Sequence, residues 1–197
     1  MLLRQKKPVR IRLGLFNTTA LFKFIEDLLY FSYMIIYEDI LRAFQKNKVK
    51  YVLVGGLAVN LQGAFRSTAD LDILVDMTDT NLAKIVNILK QKKYFVKQPV
   101  DPMGIADAGT RKDWIENKNM KAFCFFKENG EQVDLIIDSP VKFAEAIKEA
   151  DIQRIDGIRL PVVSIKHLIK MKEKTGREKD KLDVHELRVI KKLKAAK

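Results

Sequence analysis

Apolar and polar positions along this chain repeat with two different periods, and the periods alternate. Residues 35–47 place Ile36, Ile40, Leu41 and Phe44 at helical spacing. The short β-branched run Tyr51–Val54 predicts a strand that stops at Gly55-Gly56, and residues 57–64 suit a short helix. Asp70–Asp76 alternates, with Leu71, Ile73 and Val75 on one face and Asp70 and Asp72 on the other. Thr80–Lys92 predicts a helix and Tyr94–Gln98 a strand. Residues 99–119, with Pro99, Pro102, Gly104 and Gly109, predict a long loop. Ala122–Lys127 and Gln132–Ile137 flank Glu128-Asn129-Gly130-Glu131 as a β-hairpin, and Pro140–Ala150 reads as a helix. Ile152–Ile155 and Ile158–Val162 form a second hairpin about Asp156-Gly157. Ser164 caps a helix over 165–175 that Gly176 ends, and a last helix covers 178–194. Strands interleaved with helices predict an α/β (α+β) fold, a mixed sheet flanked by helices.

Three stretches follow: an N-terminal extension (1–33), a core (34–162) and a C-terminal basic helical segment packed on that core (163–197). Residues 13–37 are apolar, but Lys23, Glu26 and Asp27 interrupt them, and the uncharged run Leu28–Tyr37 has only ten residues. A spanning helix needs about 20, and no small-residue cleavage site follows, so neither a membrane span nor a signal peptide is expected. A single cysteine, Cys124, excludes an internal disulfide framework and a four-cysteine zinc site, which fits a cytoplasmic protein. The 37 Lys and Arg against 25 Asp and Glu leave a formal charge of +12, which suits an anionic partner. That charge is uneven: +4 over 1–33, +1 over 34–160 and +7 over 161–197.

The chemistry concentrates in Val52–Val75. Asp70 and Asp72, two apart on a strand, project from one face, and such a pair is costly unless something neutralises it. A divalent cation does so, and oxygen-only donors favour Mg2+ or Mn2+. In the later strand Val133, Leu135 and Ile137 form the core face, so Asp134 points the other way. If the two strands are neighbours, three carboxylates converge on the arrangement that holds two ions roughly 3.5–4 Å apart in phosphoryl transfer. Asp138 shares that nominal face but stands near Pro140, where the strand should end. Gly55-Gly56, between strand and helix, lets backbone approach a ligand. Taken singly, the Asp pair reads as a solvated face, Asp134 as a hairpin carboxylate and the glycines as a turn; their conjunction carries the reading.

Gly55-Gly56, Asp70-Leu71-Asp72 and the later strand aspartate together resemble the nucleotidyltransferase superfamily with a DNA polymerase beta-like fold. The stretch Gly55–Asp72, with Gly63 and Arg66-Ser67-Thr68-Ala69, is similar to the AbiEii-like nucleotidyltransferases, which include toxins of toxin–antitoxin systems. Lys174-Thr175-Gly176-Arg177-Glu178-Lys179-Asp180-Lys181-Leu182-Asp183 resembles their Lys-x-Gly-Arg-x-Lys-Asp-x-x-Asp segment. The resemblance implies Asp70, Asp72 and Asp134 as metal ligands and catalytic residues, with Asp134 deprotonating or orienting the acceptor hydroxyl. It implies Gly55, Gly56, Arg66, Thr68, Lys174, Arg177 and Lys179 as nucleotide-binding, an NTP substrate and release of pyrophosphate. The implied acceptor is a hydroxyl of tRNA, other RNA or protein, with a cognate antitoxin as a partner. A non-catalytic nucleotide- or RNA-binding protein, or an antitoxin-type partner, is the alternative, and three intact carboxylates argue against it.

Other residues keep a plain reading beside the functional one. Arg66 either reaches phosphates or pairs with a surface carboxylate. Lys174, Arg177 and Lys179 either contact a triphosphate or polynucleotide backbone or form a solvated helix junction. Lys172 and Lys181 read as solvated. Trp114 and the aromatics of Phe123–Phe126 read as packing, and His167 and His185 lack a partner for chemistry.

Overall fold

The computed structural model describes residues 36–64 and 66–196. The expected N-terminal extension lies outside them. Helix α1 occupies 36–46 and is followed by β1 (Tyr51–Leu53), α2 (Gly55–Leu61), β2 (Leu71–Val75), α3 (Asp79–Gln91) and β3 (Phe95–Val96). A 3-10 turn (Pro102–Ala106) leads into α4 (Ala108–Glu116), then β4 (Ala122–Phe126), β5 (Gln132–Ile136) and α5 (Phe143–Lys148). The hairpin β6 (Asp151–Ile155) and β7 (Ile158–Val162) precedes α6 (Ile165–Thr175) and α7 (Glu178–Ala195).

The strands form one mixed sheet in the order β3-β4-β5-β2-β1-β7-β6. β2 lies at its centre, antiparallel to β1 and parallel to β5. The alternation along the strands separates two faces. Leu71, Ile73 and Val75 of β2, Val133 and Leu135 of β5, and Phe123 and Phe125 of β4 are fully buried. On that side Phe44 of α1 meets Tyr51 edge-on at 5.5 Å, and Trp114 of α4 stacks on Phe123 at 5.1 Å. The opposite face carries Asp72 and Asp134 and is approached by α2 and α6, with Leu168 and Met171 beside Ile136.

The long loop expected over 99–119 is largely helical. Its proline and aspartates begin elements there. Asp101 accepts a hydrogen bond from the Met103 amide and Asp107 one from the Thr110 amide at 2.7 Å, so each caps a new turn. Pro102 occupies the first turn, where its missing N–H costs nothing. Gly104 makes room for Trp114: a side chain there would begin 3.2 Å from the indole ring. The Trp114 packing expectation is met. At the other end of the chain, Ser164 and Gly176 bound α6 as expected, with Gly176 in the left-handed region at φ 64°.

Candidate active site

The pairing of β2 with β5 decides where the acids stand. Asp72 lies directly opposite Asp134 in the parallel register, and Asp70 precedes Asp72 by two residues, just ahead of β2. All three line one cleft of about 530 Å³, together with Gly55, Gly56, Arg66 and Thr68. Lys174, Arg177 and Lys179 line the same cleft from α6 and α7. The ten residues singled out in the sequence therefore meet in one place.

The glycines act through close approach. A Cβ on Gly55 would stand 1.8 Å from Oδ2 of Asp72, and Gly55 has φ 68°, so only glycine fits beside that carboxylate. A Cβ on Gly56 would stand 2.5 Å from Oγ1 of Thr68 and 3.3 Å from the Arg66 guanidinium carbon. The Gly56 amide donates to Asp72. The pair thus seats the acid strand and the Arg66–Thr68 approach against the start of α2.

No cation lies within ion-pair distance of Asp70, Asp72 or Asp134 among the described residues. Burial pushes the Asp72 carboxyl up to about 6, and the neighbouring charges of Asp134 and Asp70 add to the rise against the Gly56 amide and Lys172. Burial also raises Asp134, although its hydrogen bonds to Cys124 and Gln132 favour the charged form. Gln132 Nε2 donates to both Asp134 oxygens, at 3.1 and 3.0 Å.

The α6–α7 corner is built in the opposite way. Lys172, only 5% exposed, places its ammonium 3.1 Å from Asp180 and 2.7 Å from Asp183. Asp183 also holds Arg66 at 2.6 Å, and Asp180 accepts from Arg177 Nε at 2.6 Å and Thr175 Oγ1 at 2.7 Å. Burial opposes ionisation of Asp180, but Arg177, Thr175 and Lys172 outweigh it and hold that carboxyl well below the usual range. Asp138, two residues beyond β5, pairs with Lys121 at 2.8 Å and Lys174 at 3.0 Å, and both cations depress its pKa.

A model of the aminoglycoside-2''-adenylyltransferase family matches residues 37–187, a span that contains the whole cleft. The chain belongs to that family. It is a nucleotidyltransferase, and the fold of its solved neighbours agrees. The antibiotic-resistance factor ANT(2'')-Ia has a TM-score of 0.53 at 14% identity, over 83% of this chain and 89% of that one. A second structure of it, in complex with adenylyl-2''-tobramycin, has 0.51 at 15%, over 83% and 95%. The lincosamide antibiotic adenylyltransferase LnuA, lincomycin-bound, has 0.52 at 18% identity, over 77% and 93%. A putative nucleotidyltransferase from Thermotoga maritima has 0.51 at 19%, over 84% and 94%. No curated protein sequence matches the chain.

Two features of this nucleotidyltransferase differ from the sequence expectation. Lys172, expected on the solvated surface, is buried between two aspartates, because α7 folds back across α6 after Gly176 and brings Asp180 and Asp183 over it. Phe126, grouped with the core aromatics, is 38% exposed, because it shares the sheet face of Asp134. Arg66 does pair with a carboxylate, yet it also lines the cleft, so its two readings coexist. Cys124, to which the sequence assigns no place in the site, stands opposite Asp134, and burial and that carboxylate push its thiol up to about 12. The strand register that reveals it has no local mark in the sequence. Among the described residues no helix is long and apolar enough to cross a membrane.

Among the described residues, no group of three or more Asp, Glu, His or Cys side chains stands close enough together to hold a metal ion as placed. The donor chemistry nonetheless suits a divalent cation: all-oxygen donors line one cleft, with Asp72 opposite Asp134 on adjacent strands and Asp70 two residues before Asp72. Carboxylates that repel one another draw together when a cation arrives between them.

Proposed function

We propose that this chain transfers a nucleoside monophosphate from an NTP to a hydroxyl of a macromolecular acceptor, RNA or protein, with Mg2+ or Mn2+. The observation that carries this reading is the set of three carboxylates, none in an ion pair among the described residues, in a cleft that Arg66, Lys174, Arg177 and Lys179 also line. Asp70, Asp72 and Asp134 would hold the cations, which when bound neutralise phosphate charge and the departing pyrophosphate. Gly55 and Gly56 leave backbone open to the triphosphate. Arg66, Lys174, Arg177 and Lys179 supply donors for its oxygens, and Thr68 lies beside them. The acceptor oxygen attacks the α-phosphorus, a new P–O bond forms, and the bond to the β-phosphate bridging oxygen breaks. Pyrophosphate leaves with that electron pair, and the acceptor proton passes to Asp134. In this scheme residues 34–162 make the nucleotidyltransferase core and 163–197 a basic helical wall.

Family membership supports a second acceptor class, a small antibiotic-like molecule bearing hydroxyls, since ANT(2'')-Ia and LnuA are described with adenylyl-2''-tobramycin and lincomycin. Incubation with Mg2+, each α-labelled NTP and, in turn, total RNA, cell protein, tobramycin and lincomycin separates the classes. Label on RNA or protein is the expected result, and label confined to an antibiotic replaces the macromolecular reading. No transfer to any acceptor, with Asp72→Asn indistinguishable from the native chain, overturns the catalytic one. A toxin role with a cognate antitoxin further requires growth arrest on expression that a partner relieves.

A further inference from the structure

Arg66 and Arg177 reach the cleft from separate parts of the fold, Arg66 from the segment between α2 and β2 and Arg177 from the corner between α6 and α7. Asp183 takes one donor of Arg66, Nη1, at 2.6 Å. Asp180 takes Nε of Arg177 at 2.6 Å and Nη2 at 3.3 Å, a two-point grip on one edge of the guanidinium. One group joins the two acids: the Lys172 ammonium, 3.1 Å from Asp180 and 2.7 Å from Asp183. Charges alternate along the resulting chain, Arg66–Asp183–Lys172–Asp180–Arg177, and its two ends are cations that line the cleft. Asp180 and Asp183 stand three apart on α7, so they share a helix face and repel unless a cation lies between them.

Joining two helices does not by itself call for a lysine at this place. The Lys172 side chain is 6% exposed, so its ammonium gives up most of its hydration, and apolar side chains of similar volume often hold such a junction with no loss of stability. Apolar packing cannot, however, hold two carboxylates at a set spacing while two arginines bind them from outside. Lys172 and Arg66 share one oxygen of Asp183, Oδ2, so the place of the ammonium sets the place of the guanidinium. Lys172 and Arg177 likewise share Oδ1 of Asp180, whose other oxygen receives Thr175 Oγ1 at 2.7 Å. We propose that Lys172 is a positioning residue for nucleotidyl transfer: by fixing Asp180 and Asp183 it aims Arg177 and Arg66 together at one triphosphate. The inference rests on the transfer reading above and adds to it a residue that works through two arginines rather than on the reacting atoms. An arginine aimed in advance loses less freedom when a phosphate arrives, so the gain appears as affinity for the phosphate chain.

Inorganic tripolyphosphate with Mg2+ is the probe, because it offers the phosphates that the arginines would hold and carries no base. Its binding to the full chain, and that of each NTP, is measured by calorimetry. Lys172→Met should weaken tripolyphosphate by about tenfold, the scale of ordering two side chains afresh on binding. Lys181→Met, which removes an exposed charge of α7 outside the cluster, should stay within about twofold, so the loss is not one of net charge. The deciding measurement is a double-mutant cycle: in an Arg66→Gln chain, and separately in an Arg177→Gln chain, the Lys172→Met loss should shrink to about threefold. The full loss in either background, or unchanged binding in Lys172→Met alone, overturns the positioning role and leaves the transfer reading in place. Thermal unfolding checks each variant, and where Lys172→Met does not fold, Lys172→Gln, which keeps a donor between the acids, enters the same cycle. A native chain that binds neither tripolyphosphate nor any NTP removes the transfer reading, and the positioning role with it.

Discussion

Two charged regions face the same cleft and are assembled on opposite terms. On β2 and β5, carboxylates are brought together without cations, and burial raises Asp72 and Asp134. At the α6–α7 corner, Asp180 and Asp183 are at least as buried, yet Lys172, Arg66 and Arg177 satisfy them and Asp180 is depressed. Burial depth is therefore not what distinguishes the proposed ligand site from the structural brace. Missing countercharge is. The corner is an internally closed cluster that presents cations at its outer edge; the strands hold an open set that awaits charge from outside.

The largest expected effect comes from closing the open set chemically. Asp72→Asn should lower kcat at least ~10³-fold, because it removes a charge that the transition state needs. The same change should raise the melting temperature of the metal-free chain at pH 7, since it relieves a strained carboxylate by about 1–2 kcal/mol. A variant with lower stability and native turnover would erase the contrast. Gly55→Ala, which forces Asp72 away from α2, should cost ~10²-fold in kcat and about 1–3 kcal/mol of stability, read by steady-state kinetics and thermal unfolding.

Breaking the closed cluster should act mainly on stability. Asp183→Asn leaves Arg66 and Lys172 short of a partner and should cost about 3 kcal/mol in denaturant unfolding. Its KM for NTP should rise about tenfold while kcat changes less, because the cations lose their aim and the carboxylates remain.

Acid should move the two regions in opposite directions. Asp72 titrates near 6 when folded and near 3.8 when unfolded, so the folded chain holds the extra proton between those values. Its share of stability therefore falls as pH rises through 4 to 6, whereas that of Asp180 is present above about 4 and is lost on acidification below it. At limiting Mg2+ the transfer rate should fall as pH drops through about 6, and the midpoint should move lower as Mg2+ is raised. A midpoint insensitive to Mg2+ would separate Asp72 from metal binding. The smallest effect is expected from Cys124→Ser, which keeps a donor beside Asp134 and should change turnover less than threefold and stability by under about 1 kcal/mol.

The open set was legible in the sequence because strand alternation is local: Leu71, Ile73 and Val75 announce where Asp72 points, as Val133 and Leu135 do for Asp134. The β hairpins, the Ser164 cap and the Gly176 stop were legible for the same reason. The closed cluster was not. Lys172 and Asp183 are drawn together by the turn after Gly176 and the crossing of α7 over α6, and nothing in the spacing of a lysine says that it will be covered. Over 99–119 proline and glycine mark element boundaries rather than a loop, because two short elements separated only by Asp107 carry a breaker near each start. Phe126 reads as packing because aromatics in a hairpin usually pack, and its parity with Asp134 becomes visible only through the β4–β5 register.

The pairing of Asp72 with Asp134 also sets when the proposed site can assemble. β2 and β5 are parallel and are separated in the chain by α3, β3, α4 and β4. Such non-local pairing is among the slower events in folding, and a slip by one residue would send Asp134 into the core. A chain still leaving the ribosome, or one collapsed in the wrong register, holds these acids apart. The proposed carboxylate set thus assembles only once β5 has found its register against β2.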